Sequence, residues 1–374
     1  MSTAESPVRL RRRRKKEVPN SSRVSISDLE TITSIYQHVS DPENKDNRFP
    51  DHRDKPCSPD EILAVYSGIQ LHTLMSLSLA MMRYPDTVWD KRFLRNIYPT
   101  SMEYPREGEK ESQRERIATW FNVLQSRISD PFERIYEAWR EYRNTVIYDN
   151  GNNKIAKQLW TDKSIETKGV QIIENWKIAQ ERSRPILDPR RFHAFSEVMA
   201  IFNLNFGAGV HGLQVPMRFD VVAANVVNPK QKSRFARHQV VYDFKSGGYR
   251  KEDPVFKMQV LLMSLGLKYL HRELRLNDPE VYPTTKSVVI SPETDVESDI
   301  GELPGFYIIT PETDPNSGFC SERIAILPDE TNFLLMEIVH LAQFMFMNKE
   351  SIRQWMKEEK SREGILMPKS VFFD

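Results

Sequence analysis

Two runs of β-branched and aromatic residues, Val215 to Ala223 and His238 to Phe244, predict a pair of strands. Between them, Asn225 to Arg237 carries Asn, Pro, Lys, Gln, Ser and Arg, a composition that predicts an exposed loop. Ser-Gly-Gly after Lys245 ends the second strand. From Asp253 to Leu274 an apolar stripe of Phe256, Val260, Leu261, Leu265, Leu267 and Leu270 then predicts a helix. Upstream, Phe192 to Phe202 reads as an amphipathic helix with Phe195, Val198, Met199 and Phe202 on its core side. Further strands are expected at Lys286–Ser291, Gly305–Thr310 and Glu322–Leu327. An apolar helix over Thr331–Lys349 closes the fold, and its Phe and Met residues fit a core better than a ligand site.

The first half reads as helical behind a polar tail. Residues 1–55 are rich in Ser, Pro, Asn, Asp and charge and are expected to be mostly disordered, with one short helical patch near Ser27–His38. Ser58-Pro-Asp-Glu61 marks a helix start, with Pro at the first position and acids in the first turn. Ser112–Ser126 and Pro131–Asn144 form a helix pair with Trp120, Phe121, Leu124, Ile135, Trp139 and Tyr142 as core candidates. Trp160 and Trp176 are expected to pack as well, base stacking being the weaker alternative. The expected organisation is a tail (1–55), a helical region (56–170), an α/β domain (171–360) and a C-terminal tail (361–374).

Composition narrows the class. A chain of 374 residues, 39% hydrophobic with six Trp, can bury a sizeable core. Cys57 and Cys320 lie far apart with no nearby partner cysteine, which argues against a disulfide scaffold or zinc finger. No long apolar run predicts a membrane span, and none near the N-terminus resembles a secretory signal. The net charge of +1 hides an asymmetry, because Arg9 to Lys16 packs seven cationic residues into eight. That run suits nuclear import, or an arm that grips phosphate without reading sequence. The expected location is therefore nuclear, otherwise cytoplasmic.

The candidate chemistry sits at the ends of the two best-defined strands. Arg218-Phe-Asp220 is followed 23 residues later by Asp243-Phe-Lys245, a gap suited to one hairpin with a generous loop. Paired strands would bring two carboxylates and an ammonium to one sheet edge. Two carboxylates suit a hard cation that keeps several waters, and such a cation lowers the pKa of bound water. A lysine beside them can orient that water or offset charge on a phosphate. Gln259, on the first turns of the following helix, is expected to point back towards this edge. On the amphipathic segment, His193 and Glu197 lie four residues apart, either as an exposed pair or with Glu197 as a further ligand.

Asp220, Asp243-x-Lys245 followed by Gly247, and Gln259 together resemble the PD-(D/E)XK nuclease superfamily, in particular its RecB-like and Cas4-like branches. The segment around Glu197 and the late apolar helix are also similar to the nuclease-like domain common in fungal genomes. The resemblance covers roughly residues 171–330. It implies a restriction-endonuclease-like core: a mixed central sheet flanked by helices in the order α-β-β-β-α-β, here behind an N-terminal helical segment. It also implies Asp220, Asp243 and a helix glutamate, Glu197 with Glu181 as the alternative, as ligands of Mg²⁺ (or Mn²⁺). Lys245 is implied as the catalytic lysine and Gln259 as an accessory polar residue. The sequence departs from the pattern in having Asp at the second acidic position, no Pro directly before Asp220, and Met263 where a Tyr often stands. The cysteines of an iron–sulfur cluster are missing too.

The function expected is metal-dependent hydrolysis of a nucleic acid, DNA being favoured, with Arg218, Arg250, Lys251, Arg234 and Arg237 as phosphate-gripping candidates. The alternative is a nuclease-like protein without activity that binds nucleic acid or another protein. The acids between Glu293 and Glu302 are read as a solvated loop rather than a second metal site.

Overall fold

In a computed structural model of the chain, the described residues are 21–52, 163–181, 192–206, 212–225, 239–245, 250–270, 284–289, 303–311 and 318–362, with shorter pieces between 72 and 79, between 122 and 140, and at 187. The Arg9–Lys16 run, the helix start at Ser58, Trp160, Arg234, Arg237, the Glu293–Glu302 cluster and residues 363–374 of the C-terminal tail lie outside them, whereas 361 and 362 continue the last helix.

The architecture is a mixed α+β fold built on one sheet. Its strands are β1 (Ser21–Arg23), β2 (Phe192–Asn205), β3 (Gly212–Asn225), β4 (Gln239–Phe244), β5 (Thr284–Val289), β6 (Phe306–Pro311) and β7 (Phe319–Ile324). The helices described along their whole length are α1 (Leu29–Val39), α2 (Lys163–Glu181), α3 (Pro254–Leu270), α4 (Pro328–Met347) and α5 (Lys349–Arg362), with further helical pieces between 72 and 79 and between 122 and 140. Strand order is β5-β2-β3-β4-β6-β7. The three central strands form an antiparallel meander, whereas β5 joins β2 and β6 joins β4 in parallel.

The segment expected as an amphipathic helix around Glu197 is instead strand β2, paired along its length with β3 from Phe192–Asn225 to Leu204–Leu213. The physical reason lies in burial. From Ala200 to Leu204 every residue is buried, so consecutive residues on both faces of this part of the strand are covered and no period of two shows there. A strand covered on both sides reads as a continuous apolar run, and such a run also satisfies the helical spacing.

The expected N-terminal disorder is cut short as well. β1 lies parallel to β3 beside Gly212–Gln214, and Val24 donates its N–H to the Gln214 carbonyl at 3.0 Å. Val24, Leu29, Ile32 and Ile35 are buried in the core with residues of α3 and α4. Four apolar residues scattered through a polar stretch scarcely raise its average hydropathy, yet their spacing puts Leu29, Ile32 and Ile35 on one side of α1. The segment is fastened at its far end to α5. Trp355 Nε1 donates to the Pro50 carbonyl at 2.7 Å, and His52 stacks on Trp355 while its ring nitrogens stand 2.9 Å from Glu359 and 2.9 Å from Glu358.

α2 packs against β7, with Trp176 edge-on to Phe319. Their approach depends on Gly318, whose φ is +83° and whose missing Cβ would lie 2.9 Å from the Asn175 carbonyl oxygen. An L side chain is disfavoured in that backbone conformation, and the neighbour is backbone that cannot swing away. Gly318→Ala is therefore expected to lower stability by about 1–3 kcal/mol. An unchanged urea midpoint would refute this.

At the start of α4, Glu330 accepts from Lys257 Nζ at 2.7 Å and from the Leu327 N–H at 3.0 Å. The lysine hydrogen bond, then the backbone one, hold its carboxyl below the ordinary glutamate value. Stability from this group is thus complete above the ordinary glutamate pKa and disappears as pH falls through the lower folded value. Glu330→Gln is expected to cost under about 1 kcal/mol at neutral pH, since the pair is partly solvated. Urea titrations at neutral and acid pH should show the difference from wild type shrinking in acid; a constant difference would remove the assigned role.

Candidate active site

The site forms where β3 and β4 part. Their recorded pairing runs from Ala224–Gln239 to Val221–Tyr242. One further residue in the same register brings Asp220 level with Asp243. β4 remains tied to β6 on its other side, where Lys245 N–H donates to the Ile309 carbonyl at 3.0 Å. The Phe244 N–H therefore faces β3, and past the last pair its acceptor is the side chain of Asp220, at 2.9 Å from Oδ2. That bond fixes the Asp220 carboxylate and satisfies a donor that would otherwise be stranded. N–H and C=O of one residue in a strand point the same way, so the Phe244 carbonyl faces the same gap.

The other residues follow from alternation. Asp243 and Lys245 are two apart on one strand and so share a face. Lys245 Nζ lies 2.8 Å from Asp243 Oδ2, with 13% of the Asp243 side chain and 35% of the Lys245 side chain exposed. Burial alone would lower the pKa of this ammonium. The charge of Asp243, its hydrogen bond and the charge of Asp220 outweigh burial and hold it above the ordinary lysine value. On β3, Asp220 lies on the face opposite Met217 and Phe219, against which α3 packs at Gly266. Arg218 is two residues before Asp220 and shares its face, half-buried.

His72, on a helical piece whose Leu74, Met75, Ser78 and Leu79 are buried, reaches this place from far away in sequence. Its Nδ1 is 3.5 Å from Asp220 Oδ2, and its ring stands edge-on to Phe244 with centroids 6.4 Å apart. Sequence reasoning missed it. A lone histidine within an apolar run carries no spacing signal, and nothing local links position 72 to the strand ends.

Glu197 lies on a strand, not on the preceding helix. The pairs Ser196–Val221 and Val198–Phe219 set position 197 opposite Asp220, so positions 197, 220 and 243 form one row across three strands. Glu181, the alternative ligand, is exposed at the end of α2, the helix that packs on β7. Gln259 does not turn to the row. Its amide donates to the Ile26 carbonyl at 3.4 Å, tying α3 to the N-terminal segment. Of the phosphate-gripping candidates, Arg250 is exposed and Lys251 is paired with Glu322 on β7 at 2.9 Å.

Among the described residues no group of three or more His, Cys, Asp or Glu surrounds a point that could hold an ion. Two level carboxylates, one held by a backbone N–H, nonetheless fit Mg²⁺, which is commonly bound by one or two carboxylates plus waters and substrate phosphate. No helix among the described residues is long and apolar enough to cross a membrane.

No protein-family model matches the chain, and no curated protein matches it. A solved structure described as "Crystal structure of SSO0001" is similar over 60% of this chain and 84% of that one, at 14% identity and a TM-score of 0.21. A likeness of that size carries no argument about fold or function.

Proposed function

We propose that the protein is a metal-dependent nuclease of PD-(D/E)XK type, acting on DNA, with Asp220, Asp243 and Lys245 at its centre. The observation that carries the reading is the meeting of two carboxylates and an ammonium where β3 and β4 separate. Element order supports it: α2, β2, β3, β4, α3 and β5 follow one another as α-β-β-β-α-β, the order of such a nuclease core.

Asp220 and Asp243 would hold Mg²⁺ or Mn²⁺, with the Phe244 carbonyl facing the same gap and position 197 completing the row. His72 offers a nitrogen donor beside Asp220, which Mn²⁺ accepts more readily than Mg²⁺ does. Such a cation, when bound, would supply Lewis-acid stabilisation of the phosphate and a water of lowered pKa. Lys245, an ammonium held beside Asp243, would orient the attacking water and offset charge on the phosphate. Arg218, on the Asp220 face, binds a neighbouring phosphate. The basic run Arg9–Lys16 adds nuclear import to the proposal.

The test is a cleavage assay on single- and double-stranded DNA with Mg²⁺ or Mn²⁺, comparing wild type with Asp243→Ala and Lys245→Ala. Cutting that needs metal and both residues is expected. A folded wild type that binds DNA but cuts no substrate with either metal would replace this reading with a nucleic-acid-binding role.

A further inference from the structure

The carboxylates of the row are not simply two negative charges awaiting a cation. Lys245 already stands on Asp243, 2.8 Å from Oδ2, in a place where the carboxylate is 13% exposed. Asp220, level with it, has Oδ2 engaged by the Phe244 N–H at 2.9 Å. A divalent cation arriving at Asp243 must share that carboxylate with an ammonium or push it aside. Like charges so close, with little water between them, repel far more strongly than at an open surface.

We infer that Lys245 competes with the metal for Asp243, so that the resting site takes metal weakly and fills fully only when nucleic acid arrives. This rests on the nuclease reading. A backbone phosphate in the site offers Lys245 a second anionic partner, and its four-carbon stem has the reach and freedom to turn there. Metal and phosphate then assist each other's binding, and by linkage the assistance is reciprocal. The same lysine that serves the reaction thereby links metal loading to the presence of substrate.

The experiment is a Mn²⁺ titration without nucleic acid, followed by the electron paramagnetic resonance signal of the free ion. Wild type is compared with Lys245→Met, Lys245→Gln, Lys245→Arg and Asp243→Asn, each checked for folding by circular dichroism. The two neutral variants are expected to bind Mn²⁺ about tenfold more tightly than wild type, the size expected from removing one adjacent charge. Lys245→Arg, which keeps the charge, should stay close to wild type, and Asp243→Asn should lose the site. Either neutral variant, if folded, decides the matter. Affinity equal to or below wild type in a folded neutral variant overturns the competition while leaving the two carboxylates as ligands. Absence of saturable Mn²⁺ binding in both folded wild type and folded neutral variants overturns the nuclease reading itself.

Discussion

Asp243→Ala is expected to lower metal-dependent cleavage by about a thousandfold or more, beyond the roughly 10–100-fold typical of a residue that acts only through a ligand. The difference follows from position. Asp243 lies level with Asp220 and 2.8 Å from Lys245, so its carboxylate serves both the cation and the lysine. Its loss removes one of two oxygen donors and leaves the half-buried ammonium beside Asp220 alone. Lys245→Ala should cost about 10²–10³-fold, the size seen when one preorganised charge-stabilising donor is removed. The two variants should differ in metal dependence. Raising Mn²⁺ is expected to recover none of the Lys245→Ala deficit, since that variant lacks a group acting on water and phosphate rather than a ligand. Cleavage rates within a few fold of wild type in Asp243→Ala would end the assignment.

The second large effect concerns Gly169 and Trp139. Trp139 is fully buried, and a Cβ built on Gly169 of α2 meets Cζ3 and Cη2 of its indole well inside van der Waals contact. Two effects oppose each other in Gly169→Ala. Alanine favours the helix over glycine by about 0.8–1 kcal/mol. Forcing a methyl group into a filled core costs about 1–3 kcal/mol, sometimes more, and here the neighbour is a rigid ring rather than the end of a flexible chain. The clash should win, giving a net loss of stability seen as a lower urea midpoint. Combining it with Trp139→Phe, which shortens the ring, should recover part of the loss, with a coupling of about 0.5–3 kcal/mol in the double-mutant cycle. If Gly169→Ala raised the midpoint instead, the close approach of α2 to Trp139 would be disproved.

Legibility of the fold depended on what each segment's surroundings do to its pattern. β4 was expected at His238–Phe244 and runs Gln239–Phe244; α3 was expected at Asp253–Leu274 and runs Pro254–Leu270. Both have strong local punctuation, a polar loop before β4 and Ser-Gly-Gly between the two. β2 was misread as a helix; from Ala200 to Leu204 burial on both faces erases the alternation that marks a strand. The N-terminal segment was placed outside the fold because its few core residues are thinly spread, and their partners on α3 and α4 lie more than two hundred residues away.

The sequence by itself determined the mixed α+β class, the β3–β4 hairpin and the three residues proposed as the centre. All of these rest on short-range relations: strand propensity, turn chemistry, and the two-residue spacing that puts Asp243 and Lys245 on one face. Only the tertiary structure decided that β2 sets position 197 opposite Asp220, that His72 reaches the same carboxylate, and that Gln259 turns instead to Ile26. Those are long-range relations. They depend on which strand pairs with which and on the helical packing that carries His72, and no local period in the chain encodes either.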